Sequence, residues 1–201
     1  MAKCGWFFLL CTLFLNAACT TSPPRNPDNL CDIFREKDDW YDDAKNAEKR
    51  WKSPIASMMA IMHQESRFVA KAQPPRTKIL WIFPGPRPSS AYGYSQAKDE
   101  TWRWYQNNSG NSWSNRDDFG DAIDFIGWYN YQSGRMSKVK SNDTYHLYLA
   151  YHEGHGGFNR RTFNNKAWLK DVARKVSARA NRYNQQLNGC REDLESSWWP
   201  F

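Results

Sequence analysis

Glu65 stands where an apolar residue is expected. Along Ser53-Pro54-Ile55-Ala56-Ser57-Met58-Met59-Ala60-Ile61-Met62-His63-Gln64-Glu65-Ser66-Arg67-Phe68-Val69, the residues Ile55, Met58, Met62 and Val69 recur at helical spacing, and Glu65 falls in the same row. Removing water from around a carboxylic acid disfavours its ionised form, so a partly buried Glu65 would hold its proton near neutral pH and could donate it. That is the profile of a general acid. The alternative is a salt-bridged glutamate near a helix end. Asp99, Glu100, Asp121, Asp124 and Glu153 are the candidates for a second carboxylate. Asp121 and Asp124 lie about one helical turn apart, a spacing that solvated helix faces also carry. His152 and His155 invite a metal reading, but the zinc-protease pattern needs two histidines four apart on a continuous helix, whereas these are three apart beside glycines. No metal and no cofactor is expected. His63, two positions before Glu65, points elsewhere on a helix.

These side chains have to be positioned by helices. One is expected over 38–51. The helix carrying Glu65 follows, with Ser53 as N-cap and Pro54 at its first position, and ends by Gln73 ahead of Pro74-Pro75. The stretch 74–89 is proline-rich, loop by composition, yet holds the apolar island Ile79-Leu80-Trp81-Ile82-Phe83. Further helices are expected over 95–106, 117–130 and 142–152, the last stopping at Gly154, Gly156 and Gly157. Trp168, Val172, Val176, Ala180, Tyr183 and Leu187 mark a final amphipathic helix, with Gly189 placed to end it. No alternating strand pattern is apparent, so the expected fold class is all-α with little or no β-structure.

Lys3 precedes an apolar run, 6–15, that is too short to span a membrane, so residues 1–18 resemble a bacterial export signal. Asn16-Ala17-Ala18-Cys19 resembles a lipoprotein processing site that makes Cys19 the lipidated N-terminus. Asn16 departs from that pattern, which usually has leucine there, and cleavage near Ala18 would instead release a soluble protein. Residues 19–30 have a tether's composition, 31–190 are one domain, and 191–201 a C-terminal tail. Thr20 and Thr21 lack an acidic sorting residue, which resembles lipoproteins of the outer membrane facing the periplasm. Cys31 and Cys190 remain as an even pair at the two ends of the domain, and in an oxidising compartment a disulfide between them is expected, contributing roughly 2–4 kcal/mol. The formal charge of +7 favours anionic partners, such as membrane surfaces and carboxylate-bearing wall peptides. Nothing beyond charge supports nucleic acid, and none is expected as a partner.

Three short patterns occur in order: Glu65-Ser66, then Ala91-Tyr92-Gly93-Tyr94-Ser95-Gln96, then Ala150-Tyr151-His152-Glu153-Gly154. Together, over about 50–185, they resemble the lytic transglycosylase family with the SLT domain, related in fold to goose-type lysozyme. The resemblance implies a lysozyme-like helical fold and peptidoglycan glycan strands as substrate. It makes Glu65 the catalytic acid, sets Gln96 at the border of the sugar cleft, and brings Tyr151 close to the acid. Ser66, Tyr92, Tyr94, Gln96, Tyr151 and Glu153 are the candidate substrate-binding residues, with Trp102 and Trp104 as further lining candidates. Ser66 is expected to hydrogen-bond Glu65 or to back-bond to its own helix, and Tyr151 to orient the acid or to be core. Tyr94, Ser95 and His152-Glu153 depart from the usual pattern, and 74–89 looks like an insertion.

Glycoside cleavage normally uses two carboxyl groups, whereas the resemblance implies that one suffices. The implied reaction is non-hydrolytic cleavage of the β-1,4 bond after N-acetylmuramic acid, leaving 1,6-anhydro ends, with Glu65 as acid and then base. A hydrolytic muramidase of the same fold, with Glu153 the leading second carboxylate, and a non-catalytic wall-binding lipoprotein are the alternatives.

Overall fold

The computed structural model describes residues 22–79 and 82–196. The export signal and Cys19 lie outside the described residues. Seven α-helices are described: α1 Leu30–Glu36, α2 Trp40–Trp51, α3 Ile55–Ser66, α4 Asp99–Ser109, α5 Phe119–Ser137, α6 Thr144–Asn159 and α7 Ala167–Ser196. A 3-10 turn, Thr162–Asn165, joins α6 to α7. Two-residue strands, Lys78–Ile79 and Phe83–Pro84, pair antiparallel in the 74–89 segment. The fold is thus all-α apart from this hairpin and one bridge between Tyr92 and Ala97. No helix among the described residues is long and apolar enough to cross a membrane.

α3 is the hub. It packs on α7, α5 and α2, and every residue from Ile55 to Met62 is buried. A helix apolar on all sides belongs in the centre of a domain, so the stripe read from the sequence is only part of a fully buried surface. Arg67 and Phe68 end the helix in left-handed conformation, φ 51° and 63°. The unfavourable backbone is compensated by the fully buried Phe68 ring, which packs against Trp40 and His63. Val69 therefore lies beyond the helix and is exposed, and Glu65 occupies the last turn. Pro54, not Ser53, takes the N-cap position. Ser53 is buried and its hydroxyl accepts a hydrogen bond from Asn130 instead.

Two stop signals give way to tertiary contacts. α6 bends at Gly154 (φ 70°, ψ 156°) and then resumes, because His155 beyond the bend is buried, stacked on Tyr129 and 2.9 Å from the Ser133 hydroxyl. α7 runs straight through Gly189. Cys190 is joined to Cys31 by a disulfide, and Glu195 accepts from the Tyr41 phenol at 3.0 Å and from Lys45 at 2.8 Å. Residues 191–196 are consequently helix, not tail. The exposed end of the stripe is Trp168, while Leu169 and Ala173 take the buried positions.

The expected tether is partly docked. Pro24 and Leu30 are buried, the Tyr183 phenol donates to the Pro27 carbonyl, Asp28 pairs with Arg179, and Gln186 accepts from the Leu30 amide at 2.9 Å. Residues 24–30 therefore form a strap across α7.

Candidate active site

Glu65 opens onto a cavity of about 480 Å³. α3 supplies the acid from one wall. The loop before α4 contributes Ala91 and Gln96, the first turn of α4 contributes Glu100 and Thr101, α5 lays Phe125 and Tyr129 beneath, and α6 brings Tyr151, His152 and Glu153 up to its bend.

The loop is built around Gly93. Its φ is 77°, and a Cβ there would come within 2.0 Å of the Arg116 carbonyl oxygen, so only glycine fits. That close approach lets the Tyr94 amide donate to Arg116 at 3.0 Å and the Gly93 amide to Ala72 at 3.0 Å. Gln96 borders the cavity, but its amide nitrogen donates to the Ala72 and Gly93 carbonyls at 2.9 and 2.8 Å, so both amide protons serve the loop. Tyr94 is 3% exposed and meets Trp40 and Phe119 edge-on, which makes it core and not cleft lining. Tyr92 turns away too, its phenol donating to Asp117 at 3.0 Å. Trp102 is buried with its indole nitrogen directed at the Ser114 carbonyl, and Trp104 packs on Trp128 and His155.

Glu65 is half-buried. Burial pushes its carboxyl up from the ordinary glutamate value to about 7, while the hydrogen bond from the Tyr148 phenol pulls the other way. Ser66 does not serve the acid: its hydroxyl donates back to the Met62 carbonyl at 3.3 Å. Tyr151 lies near Glu65 and lines the cavity, yet its phenol donates to the Ser95 carbonyl at 2.6 Å, tying α6 to the Gly93 loop. The phenol that addresses the acid is Tyr148, one turn earlier on α6. Burial, and then the Glu65 charge, raise Tyr148 well above the ordinary phenol value, so it is a proton donor throughout the working range. Sequence reasoning missed Tyr148, although its three-residue spacing from Tyr151 puts both on one helical face.

Glu153 reaches the same cavity in a different state. Burial alone would raise its pKa, but hydrogen bonds from Lys166, Thr162 and His152 outweigh burial and hold it at about 2. Lys166 Nζ lies 2.8 Å from Oε1 and 3.1 Å from Oε2, and His152 Nδ1 lies 3.1 Å from Oε1. Both oxygens are engaged, so Glu153 is a fixed anion bracing the wall. Gly157 makes room for it, since a Cβ there would meet the Glu153 Cβ at 3.2 Å.

The remaining carboxylates are spent elsewhere. Asp99 pairs with Arg116 at 2.8 Å, Asp121 accepts from Asn111 and the Asn115 amide, and Asp124 accepts from Trp51, Tyr105 and Arg50. Glu100 borders the cavity but is exposed. His152 and His155 diverge across Gly154, one to the cleft and one to the core, and no group of three metal-ligating side chains gathers among the described residues. His63 lies outside the cavity lining, with burial lowering it to about 4.

The cleft can therefore offer one protonated carboxyl beside one locked carboxylate, over an aromatic floor. A family model described as Transglycosylase SLT domain matches residues 7–190. No curated protein and no solved structure matches the chain. With that match covering most of its length, the chain belongs to the transglycosylase SLT domain family, whose members cleave glycosidic bonds in peptidoglycan.

Proposed function

We propose that this protein is a lytic transglycosylase that cuts the β-1,4 bond after N-acetylmuramic acid with Glu65 as its single acid and base. The observation that carries the reading is the position of Glu65, a carboxyl lifted to about 7 in a cavity that the third motif also lines. Protonated Glu65 gives its proton to the glycosidic oxygen as the C1–O bond breaks. The sugar's own N-acetyl carbonyl supports the positive charge at C1. The Glu65 carboxylate then takes the proton from the muramoyl C6 hydroxyl, whose oxygen bonds to C1 and closes the 1,6-anhydro ring. No water is consumed, and Glu65 ends as it began. A pKa near neutrality suits a group that must both give and take a proton. A hydrolytic course would call on a second carboxylate free to act on water, and Glu153 has both oxygens engaged. We also propose an envelope setting, with Cys19 lipidated on the periplasmic side of the outer membrane, in keeping with the export-like leader and the Cys31–Cys190 disulfide.

Mass spectrometry of peptidoglycan digested with the purified protein tests the reaction. Anhydro-muramoyl products are expected from the native chain. Reducing muramoyl ends in their place would sink the non-hydrolytic course and move the protein to the muramidases.

A further inference from the structure

Trp168 opens α7 with more than half of its surface in solvent (55% exposed), beside the fully buried Leu169. The indole is held in place. Its ring meets that of His152 edge to face at 5.2 Å and 79°, and His152 lines the cavity. Two residues before Trp168, Lys166 is clamped to Glu153, the neighbour of His152. The ion pair and the ring contact thus fix the start of α7 against the bend of α6, and the indole extends the cleft's aromatic surface past its enclosed part.

A glycan strand is a polymer, and a cavity of about 480 Å³ encloses only a short piece of it. The rest must run over the protein surface. Pyranose rings present an apolar C–H face that packs on flat aromatic side chains. We propose that Trp168 is a glycan-stacking residue, holding the part of the strand that leaves the cavity on the His152 side and so favouring long strands over short ones. This rests on the transglycosylase reading for the identity of the polymer. Trp113 supplies a contrast within the same chain, 92% exposed on the loop after α4 and outside the cavity lining.

The test uses the purified full chain and peptide-free glycan strands of graded length. W168A should raise KM on long strands roughly threefold to tenfold, leave kcat and the shortest cleavable fragments unchanged, and be restored by W168Y. W113A should match the native protein throughout. Co-sedimentation of E65Q and of E65Q with W168A on long strands gives a readout that needs no turnover, and the double variant should bind more weakly. An unchanged KM on long strands, or an equal rise on short fragments, overturns the proposal. Should the native chain release no product from any strand, the transglycosylase reading falls, and sedimentation alone decides whether Trp168 stacks on glycan.

Discussion

The two walls of the cleft each carry one glutamate and treat it in opposite ways. On the α3 side, Glu65 ends the most buried helix of the domain, and its polar contact is a tyrosine that donates one hydrogen bond. On the facing side, where α6 bends and α7 begins, Glu153 meets a lysine, a hydroxyl and an imidazole. One environment raises a carboxyl to about 7 and the other lowers one to about 2. The same side chain becomes a proton donor where little polar compensation is offered, and a structural anion where compensation is complete. The second wall thus gives up chemical freedom for rigidity, and it is the wall that holds His152 and Trp168.

The largest expected effect removes the α3 member of the pair. E65Q keeps shape and hydrogen bonding but loses the transferable proton, so turnover should fall roughly 10²- to 10⁴-fold while the protein stays folded. In the native chain, activity should decline as pH rises through about 7, where Glu65 ionises. Activity comparable to native in E65Q would break the contrast outright. E153Q should act on the other quantity. The folded-state pKa of Glu153 is depressed, so its contribution to stability is present above the unfolded glutamate value and lost as pH falls towards about 2. Urea titration at pH 7 should show a loss of about 1–3 kcal/mol for E153Q, shrinking at acid pH, with most activity retained in the absence of denaturant. Loss of catalysis without loss of stability would give Glu153 a chemical role. The smallest change sharpens the α3 side alone. Tyr148 favours the ionised form of Glu65, so Y148F should move the alkaline limb of the activity profile upward by at most about one pH unit. A downward shift, or none, would mean that the phenol does not address the acid.

Much of the helical order was legible because apolar spacing survives in the final packing, as in α5 and α7. Glu65 stood out for the same reason, as a charge inside a buried row. What could not be read was which of several similar residues each contact would choose. Tyr94 and Tyr92 sit in a motif that resembles a cleft border, but Trp40 and Phe119, distant in sequence, claim the first ring and Asp117 the second phenol. The sequence leaves Tyr151 to orient the acid or to be core, and its phenol donates to the Ser95 carbonyl and not to Glu65. Glycine at 154 and at 189 reads as punctuation, yet His155 packing and the Cys31–Cys190 bond carry the helix onward past each. Local signals were outweighed wherever a long-range partner was worth more than a terminated helix.

Were the chain anchored at Cys19 as proposed, the strap across α7 would also set a leash. An anchor at Cys19 with a freely extended tether to residue 30 would let the domain roam about 40 Å from the membrane. Because Pro24 is already buried and Pro27 and Asp28 are bound to α7, only about five residues would remain to pay out, or roughly 17 Å at full stretch. Such an enzyme would patrol the layer of wall nearest its own membrane, and material further out would have to come to it.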